Sequence, residues 1–537
     1  MQQVAQQINS AYSRIQSYLS LANITALAII AVWVALIILM WTSMVPVDAK
    51  GIHAGSANLW ADWVLHMTYT NIYYDWPVNY WLDHNPIFAE GNFRYPPLPN
   101  LISALFVMVG LSFTTAMVLS SLLLFIAMLA MLLVFFRAFD VSLVWAAVGV
   151  TLFLLNGGVG FWYYLFDNTE SATHLDKFGI VIQNFIISEF IPQRAILFAA
   201  PFFLGCVILL KQALQTETGN FAIGKMVAIA LLTNILMLSS MHTYLSFVML
   251  CFFIGLQTLK HWKAWAVLIV CAGITNAVCY FGYYGVNETE KFLQYNPGEL
   301  IKFSKLCFLN HFLKNYGIVL PLVILAIYRI RAWRDPFIVA GCLLFFIVYL
   351  VQFQPWIWDN SKILTWAYLI LLVPVIQWLG RIWHDKIVLR GVVTCSILFA
   401  VASGAIDVWN VTKPDRKTYQ MFSTEEIEIA KAFKQLTRLE DVVLTHTGHN
   451  NWVHTLASRQ VFMGFTGWLW SYGLDIPNME QQKNKMLSGD WDTLKAHNIK
   501  YIVIDRYHEP GKVNTQFTSS LKVLIQSNRY GIYATGL

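Results

Sequence analysis

Apolar runs of about twenty residues recur from residue 22 to residue 407, separated by connectors of two alternating kinds. Runs of this length predict membrane-spanning helices, here at 22–43, 113–136, 141–157, 194–210, 225–241, 243–259, 264–283, 316–329, 336–353, 363–380 and 390–407, about eleven in all. One set of connectors is short and basic: Arg137; residues 211–225 with Lys211 and Lys225; Lys260 and Lys263; Arg329, Arg331 and Arg334; Arg381, Lys386 and Arg390. The other set is long, aromatic and less basic: 44–112, 158–193, 284–315, 354–362 and 408–537. Lys and Arg accumulate on the cytoplasmic side of spans. The first set is therefore expected inside and the second outside.

The polar segment 1–21 is expected to be cytoplasmic, and the run after it lacks a small-residue cleavage site, so it reads as an uncleaved first span. Residues 97–110, PLPNLISALFVMVG, are apolar but short and proline-led. They predict a helix lying in the interface, because a further crossing would invert the side of every later Arg and Lys. The membrane domain thus runs over 22–407, with 44–112 as its first outer loop.

From residue 408 the pattern changes. EEIEIAKAFKQL predicts an amphipathic helix, DVVLTH and KYIVID short buried strands, and NMEQQKNKML a polar helix. Residues 408–537 are expected to form a small α/β domain on the outer surface.

Composition agrees with the pattern and excludes two classes. Of the residues, 57% are hydrophobic and 12% charged, with a mean hydropathy of +0.54, whereas soluble domains carry about 25% charged residues. The net charge of +6 lies mostly in the short connectors and forms no nucleic-acid stripe. All seven cysteines lie in or beside apolar runs without a CxxC, as small membrane-core residues do. Neither GxGxxG nor GxxxxGK[ST] is present, which leaves no sign of a soluble nucleotide site.

The unusual polar residues fall on one side. Asp62 and His66 are four apart in ADWVLHM, on one helical face that continues through Tyr69 and Tyr73. Glu90, Arg94 and Tyr95 precede Pro96-Pro97; Arg194 opens a span in FIPQRAIL; His242 sits in the turn MHTY; Trp356, Trp358, Asp359, Asn360 and Lys362 cluster in QPWIWDNSK. Singly, each has a structural reading: a helix cap, a headgroup anchor, an aromatic belt, a snorkelling lysine. Their convergence at one depth is what points to a site, because ionisable groups near hydrocarbon are costly. In the outer domain THTGHNNWVHTLASRQVFMGFTGWLWSYG is rich in His, Trp and Gly. His446, His449 and His454 lack the spacing of a zinc motif, and the stretch reads better as a loop folding down over the membrane site.

An acid early in the first outer loop, a YPPL-type segment leading an interfacial helix, and a span ending at a basic inner loop together resemble the GT-C class of membrane glycosyltransferases. That class includes the protein O-mannosyltransferases and the aminoarabinose transferase of lipid A. The stretches ADWVLHM, NPIFAEGNFRYPPLPN, IPQRAILF, QPWIWDNSK and GFTGWLWSYG resemble an uncharacterised bacterial and archaeal branch. The resemblance implies an EC 2.4-class enzyme with a polyprenyl-phosphate-linked sugar donor, inversion at the transferred carbon, and an extracytoplasmic active site. It carries the role of general base onto Asp62. Many members have two neighbouring acids, whereas here Trp63 follows Asp62, so a second acid must come from elsewhere, for example Asp167 or Glu170. A divalent cation, Mg or Mn, is accordingly left open.

In that scheme Arg194 and Lys362 bind the donor phosphate, while His66, His242 and Asp359 orient sugar hydroxyls or these cations. Glu90, Arg94, Tyr95 and Trp358 complete the substrate-binding set. The acceptor is a hydroxyl of a glycan, lipid or protein, and the prenyl tail lies between apolar spans. The expected location is a bacterial inner membrane with the C-terminal domain in the periplasm, the alternative being the endoplasmic reticulum. Competing functions are a polyprenyl-linked glycan polymerase or ligase, a lipid-carrier flippase or transporter, and a non-catalytic scaffold.

Overall fold

The computed structural model describes residues 21–91, 94–215, 220–284, 293–508 and 515–537. Almost all of the expected N-terminal segment 1–21 lies outside them. Every expected span contains an apolar helix. Seven are long and apolar enough to cross a bilayer: Leu21–Thr42, Phe113–Ala138, Arg194–Gln215, Ala222–Ser239, Leu259–Tyr284, Ile357–Ile382 and Ile387–Thr412. An eighth crossing is made if Phe308–Tyr316 and Val319–Ile330, bent by 93° at Gly317, count as one. The other expected spans are the shorter helices Leu143–Leu154, Met241–Gln257 and Pro336–Ile347. Length alone thus supports seven or eight crossings where the apolar runs suggested about eleven. The difference arises because several runs continue past the helix end into irregular backbone. The chain is a multi-pass membrane protein.

Burial orders the bundle. In Ile357–Ile382, 83% of the apolar window is buried, against 28% for Leu21–Thr42 and 11% for Leu259–Tyr284. The first is therefore the central helix, and the other two turn Leu27, Val32, Ile269 and Val278 outward, as helices in lipid do. Leu98–Met108, at 11 residues, is too short to cross about 30 Å of hydrocarbon at about 1.5 Å per residue. It packs instead on Ala57–Asp75 and Phe113–Ala138.

Helix Ala57–Asp75 carries Asp62 and His66. Ser56 caps it by accepting from the Leu59 N–H. Its sides are pinned by long-range bonds: Trp60 Nε1 to the Gln420 carbonyl at 2.8 Å, Trp63 Nε1 to the Ile191 carbonyl at 2.9 Å, and Asn71 Nδ2 to the Thr455 carbonyl at 2.6 Å. Just before it, Gly51–Ala54 pairs antiparallel with Tyr419–Ser423 and so ties the first loop to the C-terminal region. Gly51 sits at φ +130°, and a Cβ there would lie 2.0 Å from the Phe422 carbonyl oxygen.

The C-terminal region is α/β. Its five strands run in the order Gln460–Val461, Val442–Leu444, Ile499–Asp505, Tyr530–Ala534, Lys522–Gln526; the first three pair in parallel and the rest antiparallel. DVVLTH and KYIVID supply two of these strands, as their patterns predict. Helix Thr424–Leu436 opens with a capping box between Ser423 and Glu426, and Ile476–Leu487 is the expected polar helix.

Candidate active site

Asp62 is part-buried on its helix, and its Oδ2 accepts a 2.8 Å hydrogen bond from Gln193 Nε2. Gln193 follows a five-residue π-helical turn, Ile186–Phe190, that carries Glu189. Such turns are rare and concentrate at functional sites. Glu189 is 1% exposed; its Oε1 accepts from Ser361 Oγ at 2.5 Å, and its Oε2 has no partner. Next to Ser361, Lys362 Nζ is ion-paired with Asp359 at 3.0 Å. Asn360 fixes this turn by donating to the carbonyls of Val348 and Val351, each at 2.8 Å.

These groups share one field. Burial is the largest influence on Asp62 and, opposed by Lys362 and the Gln193 bond and assisted by Asp359, lifts its carboxyl to about 6. Burial likewise lifts Glu189 to about 7 against Lys362 and the Ser361 bond. His242, at the start of Met241–Gln257, faces the charges of Lys362 and Asp359. Asp62, His242, Asp359 and Lys362 are thus brought together as the sequence suggested. Glu189 is an acid that shares the field of Asp62, Asp359 and Lys362, whereas Asp167 and Glu170 are not among the groups acting on Asp62, Glu189 or Lys362. The sequence signal for Glu189 is a single acid in the otherwise apolar stretch NFIISEFIPQR.

His66 is buried beside this group. Its Nδ1 bonds Asn100 Oδ1 at 2.9 Å and its ring meets Tyr95 edge-on, while Tyr95 stacks on Tyr69 at 5.1 Å. Burial, then the Arg194 charge, hold His66 down to about 3, so it is a neutral imidazole.

Three expected substrate contacts are occupied otherwise. Arg194 is 1% exposed and donates to Ser103, Ser120, Ser121 and Asn100 at 2.5 to 3.3 Å. Those bonds turn the guanidinium inward as an anchor joining three helices, instead of leaving it open to phosphate. Arg94 donates to the carbonyls of Leu82 and Tyr283. Glu90 is exposed and pairs with His497 of the C-terminal region. Trp358 is part-buried between His174 and Phe303, with ring centroids 5.8 and 5.9 Å away.

The Gly- and Trp-rich loop does fold down onto this region. Trp470 meets Trp356 edge-on at 5.0 Å, and the Gly464 N–H donates to the Ile87 carbonyl at 2.8 Å. His449 stacks on Phe465 at 3.5 Å and lies 5.6 Å from Trp60, two residues before Asp62.

An apolar groove of about 850 Å³ runs along Asn220–Ser239, Met241–Gln257 and Trp262–Cys279, lined by Met237, Met241, Tyr244, Phe252, Trp262 and Ile269 among others. Its Met241 precedes His242 on the helix Met241–Gln257, which the groove and the charged cluster share.

Two carboxylates lifted by burial, one with an orphaned oxygen, make a donor set whose strain a hard divalent cation would relieve. Asp62 and Glu189, the latter with its unpartnered Oε2, are the carboxylates that would hold such an ion. They are not a closed cage: among the described residues, the group of three with ligand atoms within 4.8 Å of one another is His446, Asp505 and His508.

No family model and no curated protein matches the chain. Solved structures do. The oligosaccharyltransferase of Archaeoglobus fulgidus in the apo form aligns with a TM-score of 0.57 at 10% identity, over 91% of this chain and 70% of that one. The same enzyme complexed with zinc and sulfate gives 0.55 at 11% identity, over 90% and 68%. The archaeal oligosaccharyltransferase AglB from A. fulgidus with an inhibitory peptide and a dolichol-phosphate gives 0.53 at 9% identity, over 89% and 69%. At these identities the likeness concerns the fold, which is the GT-C fold that the sequence motifs resemble.

Proposed function

We propose that this chain is an inverting glycosyltransferase that moves a sugar from a polyprenyl-phosphate donor to a hydroxyl acceptor. The reaction takes place on the extracytoplasmic side of a membrane, for which a bacterial inner membrane with residues 408–537 in the periplasm is the preferred setting. The observation that carries this reading is that one helix, Met241–Gln257, brings His242 to the cluster of Asp62, Glu189, Asp359 and Lys362 and also lines the apolar groove. A prenyl tail needs the groove, and a sugar phosphate at the water boundary needs the cluster.

In the reaction the acceptor oxygen attacks the anomeric carbon while the bond from that carbon to the phosphate oxygen breaks. Asp62, ionised, takes the acceptor proton. The electron pair leaves with the prenyl phosphate, whose growing negative charge is met by Lys362. Asp359 holds that ammonium in place, and Gln193 keeps the Asp62 carboxylate turned toward the acceptor. His66, neutral, holds Asn100 and Tyr95 behind the base. A divalent cation, if bound by Asp62 and Glu189, would add Lewis-acid stabilisation of the leaving phosphate. Trp470 and its loop cover the cluster and keep water from competing with the acceptor.

The test uses purified protein in proteoliposomes with polyprenyl-phosphate donors labelled in the sugar. The native chain is expected to release prenyl phosphate and label an acceptor, and Asp62→Asn to abolish this while inserting normally. Undiminished transfer by Asp62→Asn would remove Asp62 as base. Labelled lipid crossing the bilayer with its sugar still attached would make the chain a carrier.

A further inference from the structure

Two connectors expected to lie outside the membrane, 158–193 and 284–315, meet in one body. The Val159 N–H donates to the Lys314 carbonyl at 3.0 Å. Asn315 Oδ1 accepts from the Val181 and Ile182 N–H groups at 2.7 and 2.9 Å. Gly158 permits this approach, since a Cβ there would stand 1.8 Å from the Lys314 carbonyl oxygen. Two short helices of this body keep large apolar side chains outside. Gly160–Phe166 presents Trp162, Leu165 and Phe166, and Phe308–Tyr316 presents Phe308, Leu309 and Leu313, each 43% to 68% exposed. The opposite face of the second helix, His311, Phe312, Asn315 and Tyr316, is buried. In water such an outer face would cost about 25 cal/mol per Å².

Two neighbouring helices give the depth of this face, each counted from its basic end. Helix Val319–Ile330, which ends at Arg329 and Arg331, has 12 residues. At about 1.5 Å per residue it rises about 18 Å, well short of about 30 Å of hydrocarbon. At its far end the chain bends by 93° into Phe308–Tyr316, which therefore runs along the membrane plane when its partner runs across it. The second helix is Ile387–Thr412, with Arg390 in its first turn. Gly160–Phe166 is fastened to it: the Phe161 N–H donates to Ser403 Oγ at 2.9 Å, and the Phe161 ring meets Phe399 edge-on at 4.9 Å. Phe399 and Ser403 stand about 14 and 20 Å up this helix from Arg390. Both short helices thus reach the same depth, inside the hydrocarbon.

The irregular backbone around them meets the condition for lying there, which is to be enclosed and satisfied by protein. Asp407 accepts from the Ala172 and Thr173 N–H groups at 2.7 and 2.9 Å, and Asn184 Nδ2 donates to the Leu154 and Asn156 carbonyls at 2.9 and 3.0 Å. The exposed face also continues onto the outward sides of the two neighbouring helices, which present Leu398, Ile324 and Tyr328. That continuity with a lipid-facing surface identifies the occupant.

We propose that Gly160–Phe166 and Phe308–Tyr316 form a ledge sunk in the leaflet opposite the basic connectors, its outer face covered by lipid acyl chains as on an interfacial amphipathic helix. Phe303 and His174, both of this body, hold Trp358 between them next to Asp359, so the ledge also sets how deep the Asp359–Lys362 pair lies. The inference rests on the chain crossing a membrane and not on the transfer reading.

The experiment places a spin label on Leu165→Cys and, separately, on Leu309→Cys, in a full-length chain whose seven native cysteines are replaced by alanine. The protein is reconstituted in palmitoyl-oleoyl phosphatidylcholine vesicles, and collisions with oxygen and with a water-soluble nickel chelate are measured by power saturation. Ile274→Cys on an outward-facing span residue and Leu436→Cys in the C-terminal region serve as lipid and water references. Both ledge labels are expected to favour oxygen over the nickel chelate several-fold, as at 274 and opposite to 436. Labels that favour the nickel chelate would place the face in water, and labels shielded from both reagents would place it under protein, such as a second copy; either overturns the proposal. The labels replace exposed side chains, and a thermal midpoint equal to that of the unlabelled chain shows that the fold is kept. Should either position fail that check, Phe166→Cys or Phe308→Cys reports the same depth.

Discussion

Gln193 Nε2 donates a 2.8 Å hydrogen bond to Asp62 Oδ2 across 131 residues of chain. The bond joins helix Ala57–Asp75 to the connector that ends at Arg194, and it favours the charged form of the carboxylate. Since burial lifts Asp62 to about 6 and Glu189 to about 7, transfer should rise with pH through that interval as both lose protons, then level off. Gln193→Leu removes a bond that stabilises the anion, so the acid limb should move to higher pH with little loss at the plateau. A pH–rate profile in proteoliposomes checks both statements. A limb that stays in place would separate Asp62 from the rate.

Asp62→Asn should lower the turnover by about two to four orders of magnitude, the range for a general base, with donor binding retained. Donor binding measured beside turnover distinguishes loss of chemistry from loss of the lipid.

Glu189→Gln keeps an acceptor for Ser361 but removes the charge. Chelator should depress transfer in the native chain, with Mg or Mn restoring it. The variant should require about tenfold more cation for half-restoration, as for a site losing one charged ligand. A cation titration after EDTA treatment decides it; a native chain indifferent to chelator would leave Lys362 as the cation of the site.

Arg194→Leu should destabilise the fold and not merely weaken donor use. It removes the charged donor that Ser103, Ser120, Ser121 and Asn100 share, and a hydrogen bond to a charged group contributes about 1.5–3 kcal/mol. A fall in thermal midpoint in detergent is the expected reading. An unchanged midpoint with a selective loss of donor affinity would return Arg194 to the phosphate.

Gly273 lines the apolar groove, and a Cβ there meets nothing within 4 Å. Gly273→Leu therefore fits without strain and fills space. It should raise KM for long-chain prenyl donors several-fold and leave short-tail analogues unaffected, as comparison of the two donor lengths will show.

Much of this was legible in the chain because it depends on local pattern. Apolar runs mark the helices wherever they fall, since each helix satisfies its own backbone bonds in lipid. The alternation in DVVLTH and KYIVID marks strands, and the four-residue spacing of Asp62 and His66 marks a shared face. Pairing across the fold leaves no such trace. Whether Arg194 grips a ligand or three serines, whether Glu90 meets substrate or His497, and which acid joins Asp62 were decided by which helices pack together. Glu189 lies 127 positions beyond Asp62, and only the π-helical turn and the burial of helix Ile357–Ile382 bring it to Ser361 and the Lys362 charge. Hydropathy is a sum over neighbours in sequence; a site is a set of neighbours in space.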